Sequence, residues 1–319
     1  MALSLPSEWA CAEADDMPRS SITHGAAKSS VIIATRSDVR SGKMVNSDSV
    51  QKMMDSAVEN LFRQKARRVW GTLFSSNDTV GLKVNCLAGK LFSTHQEMVW
   101  SVVERLREAG VEKSQIIVWD RRNLDLERAG YKLQTRSNDV RCYGNDHAGF
   151  TRRIFEYGSV GSQLSNILYQ QCNKVINFPV LKDHGIAGMT GALKNYFGAI
   201  NNPNKYHLDC GDPYIADINR LYPIRKKSVL NFCDALTAQY EGGPPFMPQW
   251  SWHMNSILAA TDPVAMDQII WDIIEEKREE NGFESLEAAG RKPTYIATAA
   301  DQNHQCGTND HEKINVVKV

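Results

Sequence analysis

The residues with the greatest potential for chemistry lie close together, directly after an apolar segment in the second half of the chain. The group comprises Lys182, His184, Thr190, Lys194, Asn195 and His207. Two ammonium groups, together with the N–H groups of a helix that opens near Thr190, could bind an anion. A lysine or histidine that is partly desolvated beside another cation titrates nearer to neutral pH, so the group could also transfer protons. The alternative is that both lysines are exposed and that His184 only caps a turn.

The same stretch also offers donors for a metal ion. They are His184, His207, Asp209, Cys210 and Asp212. Their nitrogen, sulfur and oxygen atoms suit zinc or iron, but their spacing matches no established ligand pattern. If a divalent metal binds, we expect His184 and His207 to be among its ligands.

Other cofactors have no motif in this chain. The seven cysteines include no C-x-x-C pair, which argues against a ferredoxin-type iron–sulfur cluster and a compact zinc site. Gly185, Gly188 and Gly191 have neither the spacing of a P-loop nor that of a dinucleotide fingerprint. The sequence therefore predicts no iron–sulfur cluster and no nucleotide cofactor.

Composition limits the partners. Lys and Arg total 37, as do Asp and Glu, and the basic residues are scattered, so we expect no nucleic-acid partner. No apolar segment is long enough to span a membrane. Residues 1–28 read as a disordered lead-in, or as the segment that follows a removed signal peptide, so both export and a cytoplasmic location are open expectations.

The elements that must position these side chains alternate between strand and helix patterns. Strands are predicted at Val31–Thr35, Thr79–Leu87, Ile116–Trp119, Val140–Tyr143, Ile154–Tyr157, Lys174–Phe178, Val229–Asp234, Ser256–Ala260 and Ile314–Val319, and helices at Ser49–Phe62, Thr94–Gly110, Ser162–Gln171 and Asp262–Glu276. This order predicts an α/β fold with a largely parallel central sheet, flanking helices and some antiparallel strands. Asn85 and Asp120 fall at strand ends, where ligands bind in such folds.

Three local signals complete the expected architecture. Thr94 and Glu97 resemble a capping box, and Asp262 before Pro263 resembles a helix N-cap. Many glycines and polar residues predict a long polar loop region after residue 182, with loops and short helices from Gly185 to Pro213. We expect residues 29–319 to form one compact domain.

Several segments together resemble the domain-of-unknown-function 362 (DUF362) family, over about residues 30–319. They are Val80–Asn85, Val175–His184, Thr190–Asn195 with Gly198, His207, Asp217–Asn219, Asp234-Ala235, Gly243-Pro244 and Thr261–Asp267. The resemblance implies a polar site at Lys83, Asn85, Lys182, His184, Lys194, Asn195, His207, Asp234 and Asp262. It implies no activity. Some relatives carry ferredoxin-type cluster segments and some are exported, but this chain has no such cysteine run.

Two functions remain open. The first is an enzyme for a small anionic substrate, in which Lys182 and Lys194 bind or polarise an acidic group, His184 is the acid or base, and Lys83, Asn85 and Asn195 orient the ligand. The second is a non-catalytic carrier of a metal, cofactor or anion, or an accessory protein in a redox pathway. An interaction module at the tryptophan-rich loop, residues 242–253, would leave the lysines unexplained.

Overall fold

The computed structural model describes residues 28–42, 44–136 and 138–319, and the expected lead-in therefore lies, except for Lys28, outside the described residues. The strands are β1 (Ser29–Thr35), β2 (Arg40–Ser41), β3 (Met44–Val45), β4 (Val80–Lys83), β5 (Ile116–Trp119), β6 (Arg141–Cys142), β7 (Phe150–Tyr157), β8 (Val160–Ser165), β9 (Lys174–Asn177), β10 (Val180–His184), β11 (Gly188–Thr190), β12 (Ser228–Gln239), β13 (Ser251–Trp252), β14 (Ser256–Ala260) and β15 (Ile314–Lys318). The α-helices are α1 (Ser47–Phe62), α2 (Ala66–Leu73), α3 (Gln96–Glu108), α4 (Asn123–Arg128), α5 (Asn145–Ala148), α6 (Ala192–Asn195), α7 (Tyr214–Arg220), α8 (Tyr222–Lys227), α9 (Pro263–Glu280) and α10 (Tyr295–Ala300).

A large mixed sheet forms the centre of the fold, in the order β15-β1-β14-β12-β9-β4-β5-β6. The strands from β12 to β6 run parallel to their neighbours, whereas β14 pairs antiparallel with both β1 and β12. The hairpin of β10 and β11 joins the sheet through a parallel pairing of β10 with β12. The predicted α/β class with a largely parallel sheet is confirmed.

Apolar side chains alternate between the two faces of this sheet. In β1, Ile32 packs into one buried cluster with α1, α2 and α3, while Val31 and Ile33 pack into a second cluster with α6, α7 and α9. The same alternation divides Ile116 from Ile117 in β5. Because successive strand side chains point to opposite faces, helices cover the sheet on both sides, and the burial of these apolar surfaces stabilises the layers.

Local signals explain where the longer helices begin. Asn46 accepts hydrogen bonds from the N–H groups of Asp48 and Ser49 at the start of α1. Asp262 does the same for α9, with Pro263 at the first helical position, as predicted. Each cap satisfies N–H groups that have no partner inside the helix.

Three predicted elements differ in the structure. The capping box at Thr94 is wrong, because its hydroxyl donates to the carbonyl of Phe178 and α3 starts after His95 without a side-chain cap. The helix predicted from Ser162 is wrong in its first turn, because these residues belong to β8. This strand pairs antiparallel with β7 across the Gly158 turn, as the sequence predicted. The loop region after residue 182 does contain short helices, but it begins with the unpredicted β10–β11 hairpin and is mostly buried.

Candidate functional site

The candidate site lies where the parallel strands end. Asp120 follows the last residue of β5, and Lys83 is the last residue of the adjacent β4. Lys83 is fully buried, and its Nζ lies 2.8 Å from Oδ1 of Asp120 and 2.6 Å from the carbonyl oxygen of Val84. The backbone N–H of Cys86 donates to the other carboxylate oxygen at 2.7 Å. This ion pair ties the ends of two strands together, so Lys83 already has its counter-ion.

Lys182 begins a chain of hydrogen bonds between amide side chains. Its Nζ donates to Oδ1 of Asn85 at 3.0 Å, and Nδ2 of Asn85 donates to Oδ1 of Asn195 at 3.0 Å. Asn195 donates to Asn177 at 2.7 Å, and Asn177 donates to Asn231 at 3.0 Å. All four bonds run in one direction, and each donor fixes the rotation of the next amide group.

Sequence reasoning missed Asn177 and Asn231, which lie side by side in β9 and β12. Asn177 also stands opposite Lys83, so three neighbouring strands place a polar row across the middle of the sheet. Asn177 is fully buried, and its Nδ2 also donates to the carbonyl of Ala192 at 3.0 Å. Through the hydrogen bond that Asn177 accepts, this row holds the side chain of the site residue Asn195 in place. The sequence signal was an asparagine beside apolar residues in each strand, after Val175-Ile176 in β9 and between Leu230 and Phe232 in β12.

Lys194 lies in α6 and has a different environment. Its Nζ is 3.1 Å from Nε2 of His207 and 4.1 Å from the centre of the Phe197 ring. The residue is 6% exposed, compared with 1% for Lys182. Neither ammonium group has a carboxylate partner in the part of the chain that the structure describes. Two buried amines therefore lack a direct counter-ion, and the charge of Lys182 reaches Lys194.

Burial shifts the pKa of both amines towards neutrality. Desolvation lowers the pKa of Lys182 to about 8, although nearby carboxylates, among them Asp120, oppose the shift. The pKa of Lys194 falls to about 7, because desolvation acts together with the charge of Lys182. At neutral pH, Lys182 is therefore mostly charged, while Lys194 is divided between ammonium and neutral amine.

His184 serves the turn of the β10–β11 hairpin. Its Nδ1 accepts hydrogen bonds from the N–H groups of Ile186 and Ala187, both at 3.1 Å, so the ring proton is assigned to Nε2. Desolvation and then the neighbouring charge of Lys194 lower the pKa of His184 to about 2. The ring therefore stays neutral at ordinary pH and can donate a hydrogen bond from Nε2. A ring that takes up no proton near pH 7 gives less support to the predicted acid–base role of His184.

The predicted metal ligands His184 and His207 do come together, but face to face. Their ring centroids are 5.6 Å apart with an angle of 22° between the planes. Nδ1 of His207 donates to the carbonyl of Pro203 at 3.1 Å, and its Nε2 is the partner of Lys194. Within the described ranges, no three His, Cys, Asp or Glu side chains are grouped to hold a metal. Binding of a divalent metal by His184 and His207 stays a prediction.

The helix terminus that was expected to face a ligand is occupied. Asp267 of α9 accepts hydrogen bonds from the N–H groups of Ala192, at 2.5 Å, and Leu193, at 3.0 Å. The expectation of open N–H groups near Thr190 is therefore wrong. Thr190 itself is buried in β11, opposite Lys182. Asp267 instead anchors α6, and with it Lys194 and Asn195.

The two predicted carboxylates differ in position. Asp234 accepts hydrogen bonds from both the backbone N–H and Nδ1 of His95, each at 2.7 Å. Burial alone would lower the pKa of His95, but Asp234 outweighs it and raises that pKa. Asp262 is used at the start of α9 and by Ser29 and Thr308, and no bond joins it to the lysines in the structure as described. Asp234 therefore links His95 to the site, whereas Asp262 stabilises the start of α9 and its contacts with Ser29 and Thr308.

A surface depression with a volume of about 430 Å³ lies elsewhere, beside α9 and the strands β1 and β15 of the sheet. Its lining includes Trp252 and Lys277, but neither Lys182 nor Lys194. The buried polar groups, and not this depression, mark the candidate site. In the described residues, no helix is both long and apolar enough to cross a membrane.

Comparison with known families identifies the family of this chain. A family model described as "Domain of unknown function (DUF362)" matches residues 80–272, which is more than half of the chain. This segment contains Lys83, Asn85, Lys182, Lys194 and Asn195. No curated protein matches the chain. The chain belongs to the DUF362 family, as the resemblance predicted.

Proposed function

We propose that this DUF362 protein binds a small anionic molecule between Lys182 and Lys194 and acts on it as an enzyme. One observation carries the proposal: two buried amines, of which one feels the charge of the other, have no carboxylate partner in the described residues. Isolated buried charge is costly, and an anion that enters the site would supply the missing counter-ion. Lys83 does not share this property, since Asp120 already pairs with it.

The neighbouring amides would determine how the ligand is oriented. Asn85 and Asn195 are fixed by the hydrogen-bond chain, and they lie beside Lys182. The imidazole of His184 offers an Nε2 donor on the same side as Lys194 and His207. Donors that are already held in place need no reorganisation when a ligand binds, which favours tight binding of an anion.

The function can be tested with the whole protein and simple anions. Sulfate, phosphate, acetate and glycolate are titrated by calorimetry, and thermal unfolding is followed at the same concentrations. An anion present at ten times its Kd should stabilise the protein by about 1.4 kcal/mol, which corresponds to a rise in Tm of roughly 3 °C. Binding should weaken as the pH rises through the pKa values of about 8 for Lys182 and about 7 for Lys194, because the ammonium charge is then lost.

Two substitutions make the test specific. Lys194→Met and Lys182→Met should each reduce the affinity for the anion at least tenfold, provided that circular dichroism shows a folded protein. Lys205→Met is the matched control, because Lys205 is an exposed lysine close to the site in sequence, and its loss should change affinity less than twofold. Anion binding that is equal in all three variants would contradict the proposed function.

A further inference from the structure

We propose that Lys194 is a nucleophile that forms a Schiff base with an aldehyde or ketone, while Lys182 holds an anionic group of the same molecule. The inference rests on the proposed function, since it assigns a chemical class to the ligand of that site. Two features of the geometry carry it: the partner of the Lys194 amine, and the difference between the three buried lysines.

The partner of Lys194 is a hydrogen-bond acceptor without charge. Nδ1 of His207 points at the carbonyl of Pro203, so that nitrogen carries the ring proton and Nε2 accepts from the lysine at 3.1 Å. Burial and the charge of Lys194 lower the pKa of His207 to about 4, which keeps the imidazole neutral. A neutral partner orients the amine without fixing it in the ammonium form.

The three lysines that are buried in the described residues have different environments. Lys83 is paired with the carboxylate of Asp120. Lys182 donates to Asn85 and is surrounded by carboxylates at longer range, which favour its charge. Lys194 has the charge of Lys182 as its neighbour instead. A desolvated amine beside a second cation is the setting that activates lysine as a nucleophile, and the second cation attracts an anionic substrate.

The covalent step balances without any further reactant. The lone pair of the neutral Nζ attacks the carbonyl carbon, the C=O π electrons move to oxygen, and a C–N bond forms. Both N–H protons of the amine end on that oxygen, which leaves as water when the C=N bond forms. No electron is gained or lost overall. Because Lys194 is 6% exposed, competing water is scarce at the nitrogen.

Exposed residues mark the expected approach to the amine, beside the hairpin turn. His207 is only partly buried, Leu208 beside it is 68% exposed, and Ile186 in the turn after His184 is 52% exposed. The ring of Phe197 packs against the amine. We therefore expect a small carbonyl compound to approach Lys194 past the imidazole of His207, with its anionic group towards Lys182.

Trapping with a reducing agent tests the inference directly. The full chain is incubated at pH 7.5 with glyoxylate and sodium cyanoborohydride, which reduces an imine to a stable secondary amine, and peptides are mapped by mass spectrometry. The expected result is one carboxymethyl group on Lys194 at reagent concentrations that leave the exposed Lys205 at least tenfold less modified. Lys194→Arg, which keeps the positive charge but has no nucleophilic amine, should abolish the labelling of that peptide. Lys205→Met should leave it unchanged.

Glycolate separates this inference from the proposed function, because it has the carboxylate but no carbonyl group to attack. Protection of Lys194 by glycolate, together with trapping by glyoxylate, supports both. Glycolate binding that depends on Lys182 and Lys194, with no label on Lys194, would overturn the Schiff base and leave anion binding intact. Absence of both would overturn both. Labelling of Lys194 that persists unchanged in Lys182→Met would overturn the assigned role of Lys182.

Discussion

Replacement of Asn177 by leucine should show that the side chains of the hydrogen-bond chain stabilise the fold together and not independently. The change keeps the approximate size of the side chain but removes an acceptor for Asn195 and donors to Asn231 and to the carbonyl of Ala192. All of these groups are buried. A buried polar group that loses its partner costs about 1–3 kcal/mol, so three such groups predict a loss of roughly 3–9 kcal/mol in the free energy of unfolding.

A double substitution separates this cause from simple misfit. Asn231 accepts from Asn177, so Asn177→Leu leaves its oxygen without a donor, and Asn231→Leu then removes that unpaired oxygen. The double variant should therefore be more stable than the sum of the single effects predicts, by about 1–2 kcal/mol. Asn60→Leu is the control; Asn60 is exposed in α1 and bonds only to Ser56, and its change should stay within about 0.5 kcal/mol.

The assay is urea unfolding followed by circular dichroism, with similar m-values as the condition for comparison. Anion binding provides a second measurement, because Asn195 loses its acceptor and then holds Asn85, the partner of Lys182, less firmly. Single effects that add without any coupling would refute the reasoning. A stable Asn177→Leu protein with unchanged unfolding would refute it as well.

Two more predictions concern the groups that hold the site in place. Lys83→Met leaves the carboxylate of Asp120 buried without its cation, and it should lower the free energy of unfolding, measured in urea, by about 3–5 kcal/mol. Lys65→Met removes an exposed ion pair and should lower it by under about 1 kcal/mol. Equal losses in the two variants would contradict the effect of burial. Burial raises the pKa of Asp267 from 3.8 to about 7, so its folded form holds the proton more tightly and the stability it contributes falls as pH rises from about 4 to about 7. Compared with Asp267→Asn, the wild type should lose stability over that interval, by up to about 4 kcal/mol, and parallel pH profiles would contradict the assignment.

The sequence predicted most of the sheet because its signals are local. Short β-branched runs marked β1 and β5, helical spacing marked α1, and an N-cap followed by proline marked α9. Asn85 and Asp120 followed from the rule that ligands gather at the ends of parallel strands. Lys182, His184, Lys194 and His207 were grouped by proximity in sequence, and the structure brings them together.

Other parts of the site depend on pairing between distant segments. Asn177 meets Lys83 and Asn231 only through the register of β9 with its two neighbours, which no local pattern encodes. Asp267 lies far along the chain from the short helix that it anchors, so composition predicted an open helix end and a surface loop where the structure has buried backbone. His95 carried only the signal of a histidine before a helix, and its link to Asp234 crosses from α3 to β12.

The polar row across β4, β9 and β12 also limits how this chain can vary in length. Strand side chains alternate with a period of two, so one inserted or deleted residue in β9 would turn Asn177 to the opposite face and bring an apolar neighbour against Lys83. The same change would misplace the apolar residues of β9 in both packed layers. Insertions should therefore be tolerated outside the main sheet, for example at Gly282 after α9, where an added side-chain carbon would meet no atom within 4 Å, but not in β9. The strand pairing that builds the site therefore also determines where the chain can gain or lose residues.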